Sequence, residues 1–430
     1  MSAAATLTAL DAAGGTNRDT ADESHTAALP LFTRVRYGVF AFVLQNLLAP
    51  LSFISVVKRE RFSATWTAKP DLVKTYPIRK NLPIRSAVPS SSLRPSQPQP
   101  RPDTKQSIFF PASYTGSKSG VKPAPGAATA AEDVNLPLLF TIHGGGFVIG
   151  SPPDNDAWNH KFASQHGFLV IGLNYAKAPG SPFPNALHDL EALITCVLAD
   201  TSLPIDKARI AIAGWSAGGN LTLTVSQLPT IRPHIRAIIP IYPVTNFLTP
   251  ATVKARTRRY KPSLGGFSGS ASDYLLPLTD MFMWAYLPPG LPTHDTLMNP
   301  AFATREMLPP NVFIIGCELD MLGHEDWALA CKLAGREVPG EEEVLGREEV
   351  GGNLGELVVE GDERFAFEEV VDGGRYRWLL VPDAVHGFDQ DIEIMVRDEE
   401  VMQGLREKTE KVIGIVGEWL LSGPLKVGGV

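Results

Sequence analysis

Cysteine is scarce in this chain. Cys196, Cys317 and Cys331 are the only three in 430 residues, too few and too scattered for a disulfide framework or a zinc-ligand pattern. They read as buried thiols of a reducing compartment, which makes the expected location intracellular, either cytoplasmic or membrane-associated. Basic charge is not in excess either: 39 Lys and Arg against 46 Asp and Glu give a formal net charge of −7, so there is no electrostatic footprint for a nucleic-acid partner. The surplus acid is concentrated, with 13 acidic and 2 basic residues between Glu337 and Asp372. Outside that stretch the balance is slightly positive, and no acidic field steers a ligand across the whole surface.

One long run lacks formal charge, the 21 residues from Tyr37 to Val57, bracketed by Arg34 and Arg36 on one side and Lys58, Arg59 and Arg61 on the other. Its length suits a membrane-crossing helix. Gln45, Asn46 and Pro50 near its middle, and basic residues at both ends, weigh against that reading. Two expectations stay open: contact with a membrane through Tyr37 to Val57, or a helix that covers the entrance to a site on the protein.

What is present is a large α/β pattern. With 44% hydrophobic and 20% charged residues the chain can bury a sizeable core. Residues 1–30 are small and polar and read as a disordered tail, 31–80 as an apolar N-terminal segment, and 81–430 as one catalytic domain. Two segments read as flexible insertions in that domain. Residues 86–107, with five prolines and six serines, interrupt an edge strand that would otherwise run LPIR into IFFPASY. Residues 337–374 hold the acidic surplus and many glycines, and read as a solvated excursion. Continuous apolar runs at 138–142, 168–174, 209–213, 237–241, 312–316 and 376–381 read as buried strands. A helix is expected from Asn185 to about Asp200, with His188 and Asp189 solvated on it, and another over 392–421 closes one face. Strands alternating with helices predict a mostly parallel sheet covered on both faces, with ligands at the carboxyl ends of the strands.

Chemistry concentrates at two glycine-rich turns. Gly214-Trp215-Ser216-Ala217-Gly218 lies between a strand and a helix, where small residues let the chain turn sharply and expose Ser216 at the apex. The N–H of Ala217, at the start of the following helix, faces outward without an intrahelical partner. His143-Gly144-Gly145-Gly146 follows another buried strand, and three glycines there bring backbone N–H groups close to a ligand. Gly144, Gly145, Gly146 and Ala217 are the candidate oxyanion-stabilising positions.

Together, HGGGF, NYAKAPGSPFPNALHD and GWSAGGN, in that order, resemble the hormone-sensitive-lipase-like esterases and lipases of the α/β-hydrolase fold. The likeness runs, with interruptions, from about Leu136 to Phe388. Trp215 departs from the Asp common in that family, and Ala176-Lys177 from its usual Arg and Leu. The resemblance implies a helical cap, placed here at 245–300 where aromatics run from Phe247 to Tyr286, and a base and an acid downstream of the serine. Asp320, just past a strand, and His386, in the HGF turn after the next, fit that order: Ser216 as nucleophile, His386 as base, Asp320 as its orienting acid. Glu318 is the main alternative acid, Asp326 and Asp383 are nearby, and His324 is a competing histidine. The reading is a serine carboxylester hydrolase for a small-molecule ester of short to medium acyl chain, with no metal or organic cofactor implied. Amide or lactone hydrolysis, and a non-catalytic receptor on the same fold, are the alternatives.

Overall fold

The computed structural model describes residues 29–48, 68–76, 104–116, 118, 134–291, 294–357, 359, 361–390 and 398–427. The expected tail up to residue 28, most of the 86–107 insertion, the LPIR flank and the second half of the 37–57 run lie outside the described residues.

A nine-stranded sheet runs through the molecule in the order β1-β2-β4-β3-β5-β6-β7-β9-β8. The strands are β1 (Leu72–Tyr76), β2 (Thr104–Phe109), β3 (Leu136–Ile142), β4 (Leu169–Leu173), β5 (Ile205–Trp215), β6 (Ala237–Ile241), β7 (Asn311–Cys317), β8 (Ala366–Val371) and β9 (Gly374–Val381). From β4 to β9 all neighbours are parallel, and antiparallel pairs occur only toward the two edges. β3, β4 and β6 are buried at every residue, which is why their sequences read as unbroken apolar runs.

Side-chain alternation along each strand sorts the core into two layers. Leu138, Phe140 and Ile142 pack with helices α3 (Asn185–Ala199), α4 (Ala217–Val225) and α6 (Gly323–Ala334). Leu139 faces the other way, toward α2 (Asp156–His166) and the C-terminal helix α7 (Glu399–Ser422). Asp398 caps α7, accepting from the N–H groups of Glu400 and Val401, and Gly417 admits the His166 ring, which a Cβ would meet at 2.3 Å.

Three expectations change. The edge strand is β1, and β2 lies inside it, paired with both β1 and β4. Asp189 is buried rather than solvated, because its carboxylate accepts the N–H of Ala176 at 2.9 Å. The acidic segment expected as a solvated insertion is packed: Leu345, Leu357 and Phe365 are buried, and residues 366–371 form the far edge strand. Its buried apolar residues are too sparse to show a period.

The helix α1 (Leu31–Val43), continued by a π-helical turn (Leu44–Leu48), lies on the cap helix α5 (Leu276–Tyr286). The Tyr37 and Trp284 rings are 5.8 Å apart. Gln45, a residue that argued against a membrane span, donates both amide hydrogens, to the carbonyls of Val148 at 2.8 Å and Ala178 at 2.7 Å. Among the described residues no helix is long and apolar enough to cross a membrane.

Candidate active site

Ser216 follows β5 and opens α4 with φ 54° and ψ −116°, a conformation that costs a non-glycine residue energy and persists only where its surroundings enforce it. The surroundings are specific. The Ser216 N–H donates to the Ile241 carbonyl at 2.9 Å, and the Ser216 carbonyl accepts from Asn220 at 3.0 Å. A Cβ at residue 214 would lie 2.3 Å from the Gly218 carbonyl, and one at residue 218 would lie 2.0 Å from that of Ile142. Only glycine fits either position, so the turn holds a half-buried Ser216 side chain at its apex.

His386 and Asp320 come to this serine from the ends of two other strands. His386 Nε2 is 2.9 Å from Ser216 Oγ, and its Nδ1 is 2.6 Å from Asp320 Oδ2. The carboxylate selects the Nδ1–H tautomer, which leaves Nε2 to accept the serine proton. Asp320 is itself fixed by the Leu322 N–H, which donates to Oδ1 at 2.9 Å. Burial lowers the basicity of His386, but Asp320, then Asp273 and Asp389, outweigh it, and its pKa stands above the ordinary 6.5.

Glu318 and Asp383, two of the alternative acids, are engaged elsewhere. Glu318 accepts the N–H groups of Arg347 and Asp383, each at 2.7 Å, and pairs with Lys261 at 2.9 Å. Asp383 pairs with Lys261 and Arg347, Asp326 is buried on α6, and His324 binds the Gly340 carbonyl.

The loop after β3 lies against the elbow. A Cβ at residue 144 would be 3.4 Å from that of Ser216, and Gly145 and Gly146 take φ of 102° and 59°. At residue 146 a Cβ would meet the Phe282 ring of the cap at 2.6 Å. Among the described residues the N–H groups of Gly145, Gly146 and Ala217 have no backbone acceptor outside regular elements. No set of three His, Cys, Asp or Glu side chains among the described residues is placed to hold a metal.

Several neighbours escaped the sequence reading. Trp215 donates from Nε1 to Asp389 at 2.7 Å, and Tyr242 bonds the same carboxylate. Tyr274 of the cap donates to the His386 carbonyl at 3.0 Å. Asp389 stands next to the HGF turn and could have been read as part of it, whereas Tyr242 and Tyr274 carry no local signal.

A family model described as alpha/beta hydrolase fold matches residues 139–347. The chain is 31% identical over 192 residues to hormone-sensitive lipase of Mus musculus, covering 44% of this chain and 23% of that protein. The chain is thus similar to the hormone-sensitive-lipase-like α/β hydrolases over about half of its length, and it has the fold of that group. An arylesterase of Saccharolobus solfataricus is 28% identical to this chain over 206 residues, 48% of this chain and 64% of that one. Both matches span less than two thirds of the relative's length. An esterase structure from Pyrobaculum calidifontis superposes with a TM-score of 0.55 at 20% identity, covering 93% of this chain and 100% of the other, a likeness of fold alone.

Proposed function

We propose that this protein is a serine carboxylester hydrolase working through an acyl-enzyme. The observation that carries the reading is the unbroken contact from Ser216 Oγ through His386 to Asp320, at 2.9 and 2.6 Å. Ser216 Oγ attacks the ester carbonyl carbon as its proton passes to His386 Nε2. The carbonyl oxygen becomes an oxyanion facing the N–H groups of the Gly144–Gly146 turn and of Ala217. Collapse of the tetrahedral intermediate expels the alcohol, which takes the proton from His386. Water then attacks the acyl-serine with His386 again as base, releasing the acid and restoring the serine. Asp320 keeps the imidazole oriented and stabilises its charged form. Each oxyanion donor contributes about 2.7–4 kcal/mol to transition-state stabilisation.

The family and the names of relatives, arylesterase and hormone-sensitive lipase, support an ester substrate. The apolar cap, with Phe282 against the glycine turn, favours short to medium acyl chains. The purified protein should hydrolyse p-nitrophenyl esters with an optimum at a short or medium acyl length, and Ser216→Ala should abolish turnover while leaving the circular dichroism spectrum unchanged. Turnover retained in the variant, or a folded wild type inert toward every ester in the series, would overturn the reading.

A further inference from the structure

Behind the glycine turn lies a polar cluster with no part in the serine-histidine-aspartate relay. His143 is 1% exposed and stacks on Tyr175, with ring centroids 4.5 Å apart and planes within 8°. Its Nδ1 is 2.8 Å from the Gly144 carbonyl and its Nε2 is 3.1 Å from Lys177 Nζ. Lys177 also donates to Asn174 Oδ1 at 2.9 Å and to the Tyr175 carbonyl.

An ammonium group can only donate, so His143 Nε2 must accept and the ring proton must sit on Nδ1. From there it donates to the Gly144 carbonyl, which also receives the Tyr175 hydroxyl at 3.3 Å. The 3.3 Å approach of Nε2 to Asn174 Oδ1 is then two acceptors sharing one lysine. The Gly144–Gly145 peptide is trans, and in a trans peptide C=O and N–H point in opposite directions. Holding the carbonyl in the His143–Tyr175 pair therefore turns the Gly145 N–H away from that pair, out of the opposite side of the turn.

We propose that Lys177 is a positioning residue for the oxyanion hole: it locks His143 in the Nδ1–H tautomer that grips the Gly144 carbonyl, and so aims the Gly145 N–H at the substrate oxygen. The inference deepens the ester-hydrolysis reading and rests on it. Burial, and then the lysine charge, hold the His143 pKa well below its ordinary value, so the ring is neutral and its tautomer is the variable that matters. Burial also brings Lys177 down to about 7, against the pull of Asp154 and Asp189, so the lock is strongest below that pH, where the nitrogen is an ammonium that can only donate.

Lys177→Met keeps the length of the side chain and removes the donor. In the full-length protein it should lower kcat roughly 10- to 100-fold, less than the 10²–10³-fold loss of a whole donor, with KM little changed. The affinity of a trifluoromethyl ketone, whose serine adduct carries an oxyanion, should fall by a similar factor. In a His143→Gln background the same substitution should add nothing. Wild-type kcat in Lys177→Met, or losses that multiply in the double variant, would overturn the proposal. Nitrogen-15 NMR of the wild type decides it independently of how the variants fold: His143 should show a protonated Nδ1 and a bare Nε2, and the opposite tautomer would refute it. A wild type inert toward esters would sink the hydrolase reading instead, and the tautomer measurement would still judge the Lys177–His143–Gly144 contact.

Discussion

At the residue scale the proposed chemistry depends on the protonation of one buried imidazole. His386 acts as a base only when neutral, and its pKa is raised above 6.5 because Asp320, Asp273 and Asp389 outweigh burial. The value of kcat/KM should therefore rise with pH through an inflection above 6.5 and then level off. Asp320→Asn removes the largest raising influence, so the inflection should move to lower pH while kcat falls on the order of 10⁴-fold. A profile measured from pH 5 to 9 with the same inflection in both proteins would contradict this assignment. Ser216, Asp320 and His386 were legible because each sits where a strand runs out into a turn with a marked sequence. Lys177 was legible only as a departure from the family pattern. Its partner His143 is 34 positions away, and no local rule joins them.

At the element scale, the loops bearing acid and base are tied together from the cap side of the chain. Lys261 is 1% exposed and reaches Glu318 at 2.9 Å, Asp383 at 2.6 Å and the Glu349 carbonyl at 2.9 Å. Glu318 lies two positions before Asp320, and Asp383 three before His386. Lys261→Met would leave two buried carboxylates short of their cation, and urea denaturation should show a loss of about 3–5 kcal/mol. A loss below about 1 kcal/mol would mean that the pairing is incidental. The same network explains why 337–374 reads from sequence as solvated: Glu349 and Arg347 take part in it, and Leu345, Leu357 and Phe365 are buried in the two layers of the core. Isolated anchors in an acidic, glycine-rich stretch leave no period to detect, whereas the continuous apolar strands announce themselves.

At the scale of the whole molecule, four sequence-distant turns meet because parallel strands place their carboxyl ends at one edge of the sheet. β3 delivers the glycine turn, β5 the serine, and β7 and β9 the acid and the base. α5 meets the glycine turn through Phe282, and Gln45, in the π-helical turn that follows α1, bonds the Val148 carbonyl just beyond it. The layered sheet could be read from apolar runs and their spacing. The seating of α1 could not, since its apolar sequence suited a bilayer as well as a cap; the Tyr37–Trp284 contact and the Gln45 hydrogen bonds place the segment on the protein. The most direct test of the whole account is intact-protein and peptide mass spectrometry after treatment with a fluorophosphonate. The account predicts one equivalent of adduct, on the peptide carrying Ser216, with loss of ester hydrolysis in step. Ester hydrolysis that survives full labelling, or an adduct placed on another residue, would contradict it.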